Sequence, residues 1–205
     1  MIPKINQIPI SILAKMDTYE IELHSEKVKV SVVSNSAVIV AMIDELKSSL
    51  QTLEIRVVGL DFKLFKNGYL LLLCVGTRCL IIRLYLFDSV PDALRLFLAD
   101  DTICFLFPGP SCYLTTFVLH ISGRHELICN TVVELGYFAA KILKKPNIKK
   151  YGLAMLASEV GMDIKEPILE YPNWTVEVFS QEEIKYAVHN AYTCYVIGKK
   201  LLDML

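Results

Sequence analysis

Asp61 and Lys63 stand two residues apart in the run VVGLDFK (57–63). On a strand, residues two apart face the same side, so this spacing sets a carboxylate beside an ammonium. Two readings of Lys63 are open: it closes an ion pair with Asp61 at the strand end, or it presents its ammonium to a phosphate. Lys144, Lys145, Lys149 and Lys150 cluster around Pro146. They read either as a solvated loop beside a helix C-terminus or as contacts to a nucleic-acid backbone. His189 has no second ligand near it in sequence and reads as a structural histidine, while His120 and His125 flank a loop and are expected to face solvent. The cysteines, Cys74, Cys79, Cys104, Cys112, Cys129 and Cys194, contain no CxxC pair, and a zinc site needs close pairs of ligands. They are expected to be buried free thiols, since free Cys behaves as a small hydrophobe and no signal points to an oxidising compartment. A Gly-rich phosphate loop, a nucleophile elbow and a Cys–His pair in a recognisable context are all lacking.

The elements that must position these residues follow from periodicity. Residues 18–23 (TYEIEL) and 27–32 (KVKVSV) alternate polar and apolar side chains around His24-Ser25-Glu26, which predicts an antiparallel hairpin. Asn35 or Ser36 caps a helix to about residue 50, with Ile39, Met42, Ile43, Leu46 and Leu50 at helical spacing. Residues 56–60 (RVVGL) are apolar on both faces, as in a central strand covered on both sides. Residues 69–75 and 79–84 form the next two strands around a tight connection at Gly76. Pro91-Asp92 opens a helix to about residue 99, and 103–107 is a strand stopped by Pro108-Gly109-Pro110. Residues 114–121 read as a short helix, 127–129 as an extended segment, and the chain from Val133 onward as helical. Ser180 and Glu183 form a capping box at the start of the last helix.

Composition bounds the function. With 205 residues, 54% of them hydrophobic and 21% charged, the chain has material for a full core and is no disordered segment. The net charge of −1 excludes a protein that coats nucleic acid through overall charge, so any such contact needs a local patch. The mean hydropathy of +0.45 suggests apolar surface reserved for a partner or a second copy. The longest apolar runs, such as YLLLLCV (69–75), fall short of the roughly 20 residues a spanning helix needs. Pro3, Asn6, Gln7 and Pro9 break the first fifteen residues, so no secretory signal is read there. The expectation is an intracellular protein, in cytoplasm or nucleus, without membrane contact. Residues 1–17 are read as an N-terminal extension and 18–205 as one domain.

Several segments, taken in order, resemble the DEDD 3′–5′ exonucleases of the tyrosine-containing kind. VVGLDFK (57–63) resembles the first motif, where a central strand carries Asp-x-Glu. LCVGTRCLIIRL (73–84) resembles the second and third strands, EEIKYAVHNAY (182–192) the third motif, Tyr-x-x-x-Asp on a helix, and GLAMLASEVGMD (152–163) with PNWTVEVFSQEEIKYA (172–187) the helical half. Within the family the similarity is to the Werner-syndrome-exonuclease-like proteins of plants, whose N-terminal hairpin resembles residues 18–32. The resemblance implies an α/β fold of the ribonuclease-H-like exonuclease type. We expect a mixed five-stranded central sheet flanked by helices, with an N-terminal β-hairpin. It also implies removal of nucleotides from 3′ ends with two Mg²⁺ or Mn²⁺ ions, about 3.5–4 Å apart and held by four carboxylates.

Matched position by position, the chain departs from that pattern. Asp61 keeps the first carboxylate, but Lys63 occupies the Glu position. The second-motif slot, counted from Gly109, falls on Tyr113, and no Asp or Glu occurs between Asp101 and Glu126. Tyr186 matches the third-motif tyrosine, and Asn190 stands where its Asp belongs. Asp61 is the single surviving ligand, so no resident metal is expected: Mg²⁺ prefers carboxylates and gives up its waters reluctantly. The resemblance thus implies a degenerate exonuclease without metal-dependent hydrolysis. Three functions stay open: a nucleic-acid-binding or regulatory protein gripping a single strand or 3′ end through Lys63, Lys149 and Lys150; a protein-interaction module that pairs with itself or with an active relative; and a weak residual exonuclease using Glu54, Asp88 or Glu134. The Trp174 ring is expected to anchor the loop before the last helix.

Overall fold

In the computed structural model the described residues are 17–51, 54–66, 68–109, 117–121, 125–170 and 172–205. Tyr113, Cys112 and residues 1–16 of the N-terminal extension lie outside them.

The chain opens with strands β1 (Asp17–Leu23) and β2 (Glu26–Val33), continues through helix α1 (Ser36–Gln51), and enters the antiparallel strands β3 (Val57–Phe65), β4 (Gly68–Val75) and β5 (Arg78–Arg83). Helix α2 (Asp92–Leu98) leads to β6 (Cys104–Phe107), then to the pair β7 (Phe117–Ile121) and β8 (His125–Cys129), and to β9 (Val132–Glu134). Helices α3 (Leu135–Ile142), α4 (Leu153–Glu159) and α5 (Gln181–Leu202) complete the chain, with a 3-10 turn at Pro146–Lys150.

The main sheet runs β1-β2-β5-β4-β3-β6-β9 and has seven strands, not the expected five. The hairpin is built into the sheet, because β2 pairs in parallel with β5, Val30 facing Cys79. The burial pattern of β2 follows: Val28, Val30, Val32 and Val33 are all sealed, since the strand lies between two neighbours. At the other edge the chain, read from sequence as helical from Val133 onward, first adds a short parallel strand, Val132–Glu134, to β6.

Two further expectations are corrected. Phe117–Ile121 is a strand paired antiparallel with His125–Cys129, not the end of a helix; residues 114–116 are not among those described. Its run FVLHI is rich in β-branched and aromatic residues, which favour a pleated surface with a partner. The cysteines are not all free. Cys74 and Cys79 stand directly opposite in the β4–β5 ladder and form a disulfide, whereas Cys104, Cys129 and Cys194 are free thiols. Antiparallel register across a tight turn brings residues five apart together, a closeness that sequence separation does not announce.

Helix α5 covers one face of the sheet, against β3 and β4, and α1 covers β4 and β5. That double cover explains why Leu70–Val75 is buried along its whole length. No helix among the described residues is long and apolar enough to cross a membrane.

Candidate functional site

The site is built where α5 crosses β3. Gly59 of β3 has no side chain at the crossing, and a Cβ there would overlap the main-chain carbonyl of Ala191. Gly198 does the same from the helix, where a Cβ would run into Leu106 of β6. These two glycines let the helix backbone lie close on the sheet. Asp61 is two residues past Gly59 and Asn190 one before Ala191, so the close approach delivers both to one spot. Sequence reasoning missed Gly59; the signal was a glycine inside an apolar, β-branched strand run.

Asp61 is buried at 4% exposure and accepts a hydrogen bond from Lys63 Nζ at 2.8 Å. The Asn190 side chain also hydrogen-bonds to it, as does the main chain at Phe62. Burial nevertheless dominates and raises the Asp61 carboxyl above its ordinary value, with Lys63 and the hydrogen bonds pulling the other way. Of the two readings of Lys63, the ion pair is therefore present. The same ammonium lies 5.3 Å from the centroid of the Tyr186 ring, within cation–π range. Trp174 stacks behind Tyr186 at 6.1 Å and meets Phe179 edge-on at 5.9 Å, so the anchoring ring before the last helix also backs the site.

The tertiary structure thus brings together Asp61, Lys63, Tyr186 and Asn190, which come from segments more than a hundred residues apart in the chain. Helix α5 supplies the last two from one face, four residues apart. Its start is fixed by the capping box read from sequence: Ser180 Oγ accepts from the Glu183 N–H at 3.2 Å, and the Glu183 carboxylate accepts from the Ser180 N–H at 2.9 Å.

The remaining candidates lie apart. Lys149 reaches over the Tyr137 ring at 5.1 Å, Lys145 pairs with Glu159 at 2.6 Å, and Lys150 is exposed. No contact among the described residues joins Lys149 or Lys150 to Asp61 or Lys63. Glu134 lies at the end of β9 opposite Phe107, its carboxyl raised by burial. His189 is not isolated: His24, a turn residue that nothing in the sequence marked, packs against it.

The donor set does not fit a two-ion centre. One buried carboxylate is already held by an ammonium and an amide, and an ammonium in the ligand shell repels a divalent cation. No group of three or more His, Cys, Asp or Glu able to hold a metal occurs among the described residues.

Solved structures resemble this chain. NrnC of Brucella melitensis matches with a TM-score of 0.51, covering 74% of this chain and 74% of that one at 17% identity. The two chains share a fold. That fold is a mixed α/β arrangement, here with seven strands in the main sheet. The EXD2 exonuclease domain, in a crystal soaked in Mn and Mg, matches over 84% of this chain and 88% of that one at 23% identity, with a TM-score of 0.46. The same domain soaked in Mn and dGMP matches at 22% identity, with a TM-score of 0.45 over 85% and 89% of the two chains. No family model and no curated protein matches the chain.

Proposed function

We propose that the protein is a pseudo-exonuclease: an exonuclease-like domain, related to the Werner-like members of the family, that binds nucleic acid without cutting it. The observation that carries this reading is the Lys63–Asp61 pair, in which an ammonium stands where the motif supplies a second carboxylate. Two divalent ions need dense negative charge around them, and here the charges of the pair cancel. An ammonium at that point suits a phosphate instead. Lys63 gives one N–H to Asp61 and has three donors in all, so the others are available to a phosphate oxygen of a single strand or 3′ end. Lys149 and Lys150, at the last turn before α4, are proposed to contact the backbone further along the strand.

The test is a combined nuclease and binding assay on labelled single-stranded and 3′-overhang substrates, with Mg²⁺ and with Mn²⁺. No mononucleotide release is expected. Binding should be weak, independent of metal and salt-sensitive, and Lys63→Glu should weaken it and flatten the salt slope by about 0.7 for one lost contact on a single strand. Mononucleotide release that disappears in Asp61→Ala would overturn the reading. Absence of salt-sensitive binding, together with a dimer or stable hetero-complex on sizing, would replace it with the interaction module.

A further inference from the structure

The tip of the β1–β2 hairpin turns through two non-glycine residues in left-handed backbone, His24 at φ 51° and Ser25 at φ 65°. Two-residue hairpin turns favour positive φ at both positions, but Asn-Gly and Asp-Gly adopt it at low cost. Histidine and serine stay there only where their surroundings hold them.

What holds His24 is α5. Its Nε2 is hydrogen-bonded to Thr193 Oγ1 at 2.8 Å, its ring stacks on Tyr192 at 5.8 Å, and it meets His189 edge-on at 5.3 Å. His189 is 3% exposed, and neither of its ring nitrogens has a hydrogen-bond partner among the described residues. An imidazolium in that position would bury a positive charge with two unsatisfied N–H groups.

The groups that bear on His189 offer it no help. From the turn comes His24 and from β3 the Lys63 ammonium, itself paired with the Asp61 carboxylate at 2.8 Å; on α5, Tyr192 stacks on His24 and feels the Glu26 carboxylate of β2. Protonating His189 would set a second cation against Lys63 and a third if His24 follows.

We infer that His24 and His189 form a proton-operated latch, which fastens the β1–β2 hairpin to α5 while both rings are neutral and releases it when they are protonated.

Burial depresses both rings, His24 below its ordinary value and His189 to about 4, with His24 and Lys63 adding to the effect on His189. A lowered folded value means that the open hairpin binds the proton more readily than the closed one. The latch is therefore fully closed above the ordinary histidine value of about 6.5. It weakens as pH falls below that and stops weakening below about 4. The face of α5 that it releases adjoins Asn190. The latch does not rest on nucleic-acid binding and is tested without it.

Amide hydrogen exchange of the unliganded full chain, corrected for intrinsic rates, reads the opening directly. For His189 alone, opening of β1 and β2 should rise about fifty-fold between pH 7 and pH 4.5, with little change in β3 and β4, which do not pair with the hairpin. His189→Phe keeps an aromatic ring beside His24 and should remove this pH dependence. Equal protection of the hairpin at both pH values would overturn the latch, as would loss of protection in β3–β4 to the same extent, or an unchanged pH dependence in His189→Phe. Should that variant not fold, ring NMR of the unaltered protein decides: the chain has four histidines, and a His189 signal titrating near 6.5 rather than below 5 removes the latch.

Discussion

Lys63 Nζ lies 2.8 Å from Asp61 Oδ2, and the two side chains retain 14% and 6% exposure. They share one face of β3 because residues two apart on a strand do so. α5 then closes over them, leaving a charge pair whose members depend on each other.

Breaking this pair from one side should be costly. A buried charge that loses its partner destabilises by about 3–5 kcal/mol. Lys63→Met is expected near the lower end, since some solvent still reaches the ammonium. Asp61→Asn combined with Lys63→Met should recover more than half of that loss in urea unfolding. Strict additivity of the two substitutions would show that the pair is not coupled.

The Asp61 carboxyl should titrate above its ordinary 3.8, because burial outweighs the Lys63 ammonium and the Asn190 amide. With a raised folded value the native state binds the proton more readily than the unfolded chain. This group therefore adds stability at low pH, and the contribution is lost as pH rises through the folded value. Carboxyl-carbon NMR checks the position, and Lys63→Met should raise it further. A midpoint below 3.8 would contradict the dominance of burial.

Gly59→Ala should destabilise far more than Gly76→Ala. At Gly76 a Cβ meets nothing within 4 Å, and the only penalty is the positive φ of 59°, about 1 kcal/mol. At Gly59 the obstacle is the main chain of Ala191, which cannot rotate aside. A loss above about 3 kcal/mol, beyond ordinary overpacking, is expected. Comparable melting temperatures for the two variants would mean that α5 is not seated on Gly59.

Ser180→Ala removes the hydroxyl that accepts from the Glu183 N–H at the start of α5, while the residue-180 N–H keeps its bond to the Glu183 carboxylate, and it should cost about 1 kcal/mol. Thermal unfolding measures it. Because α5 carries Tyr186 and Asn190, fraying at its start should also broaden the Tyr186 ring signals, whereas unchanged signals would confine the effect to the first turn.

Restoring two acidic positions at once, Lys63→Glu with Asn190→Asp, should not create exonuclease activity. The resemblance puts the second-motif slot at Tyr113, which would still supply no carboxylate, and multi-ligand centres act as units rather than as sums. Mononucleotide release by this double variant with Mg²⁺ or Mn²⁺ would show that three carboxylates suffice.

What the sequence by itself determined was local. Apolar spacing placed a helix from a cap at Asn35 or Ser36 to about residue 50, with Ile39, Met42, Ile43, Leu46 and Leu50 inward, and in the helix Ser36–Gln51 these residues are buried. The Asp61-x-Lys63 spacing announced a shared face, and Ser180 with Glu183 announced a helix start. Each is fixed within a turn or a strand by the geometry of the backbone. Only the tertiary structure decided which elements meet. It put β2 beside β5, drew Val132–Glu134 into the sheet as its seventh strand, made a strand of Phe117–Ile121, joined Cys74 to Cys79, and brought His24 onto Thr193 across 169 residues. Those pairings depend on which apolar faces are buried together, a choice made by the whole core. The site follows the same division: Asp61 and Lys63 are neighbours by strand period, while Asn190 reaches them only because Gly59 lets a distant helix settle against the sheet.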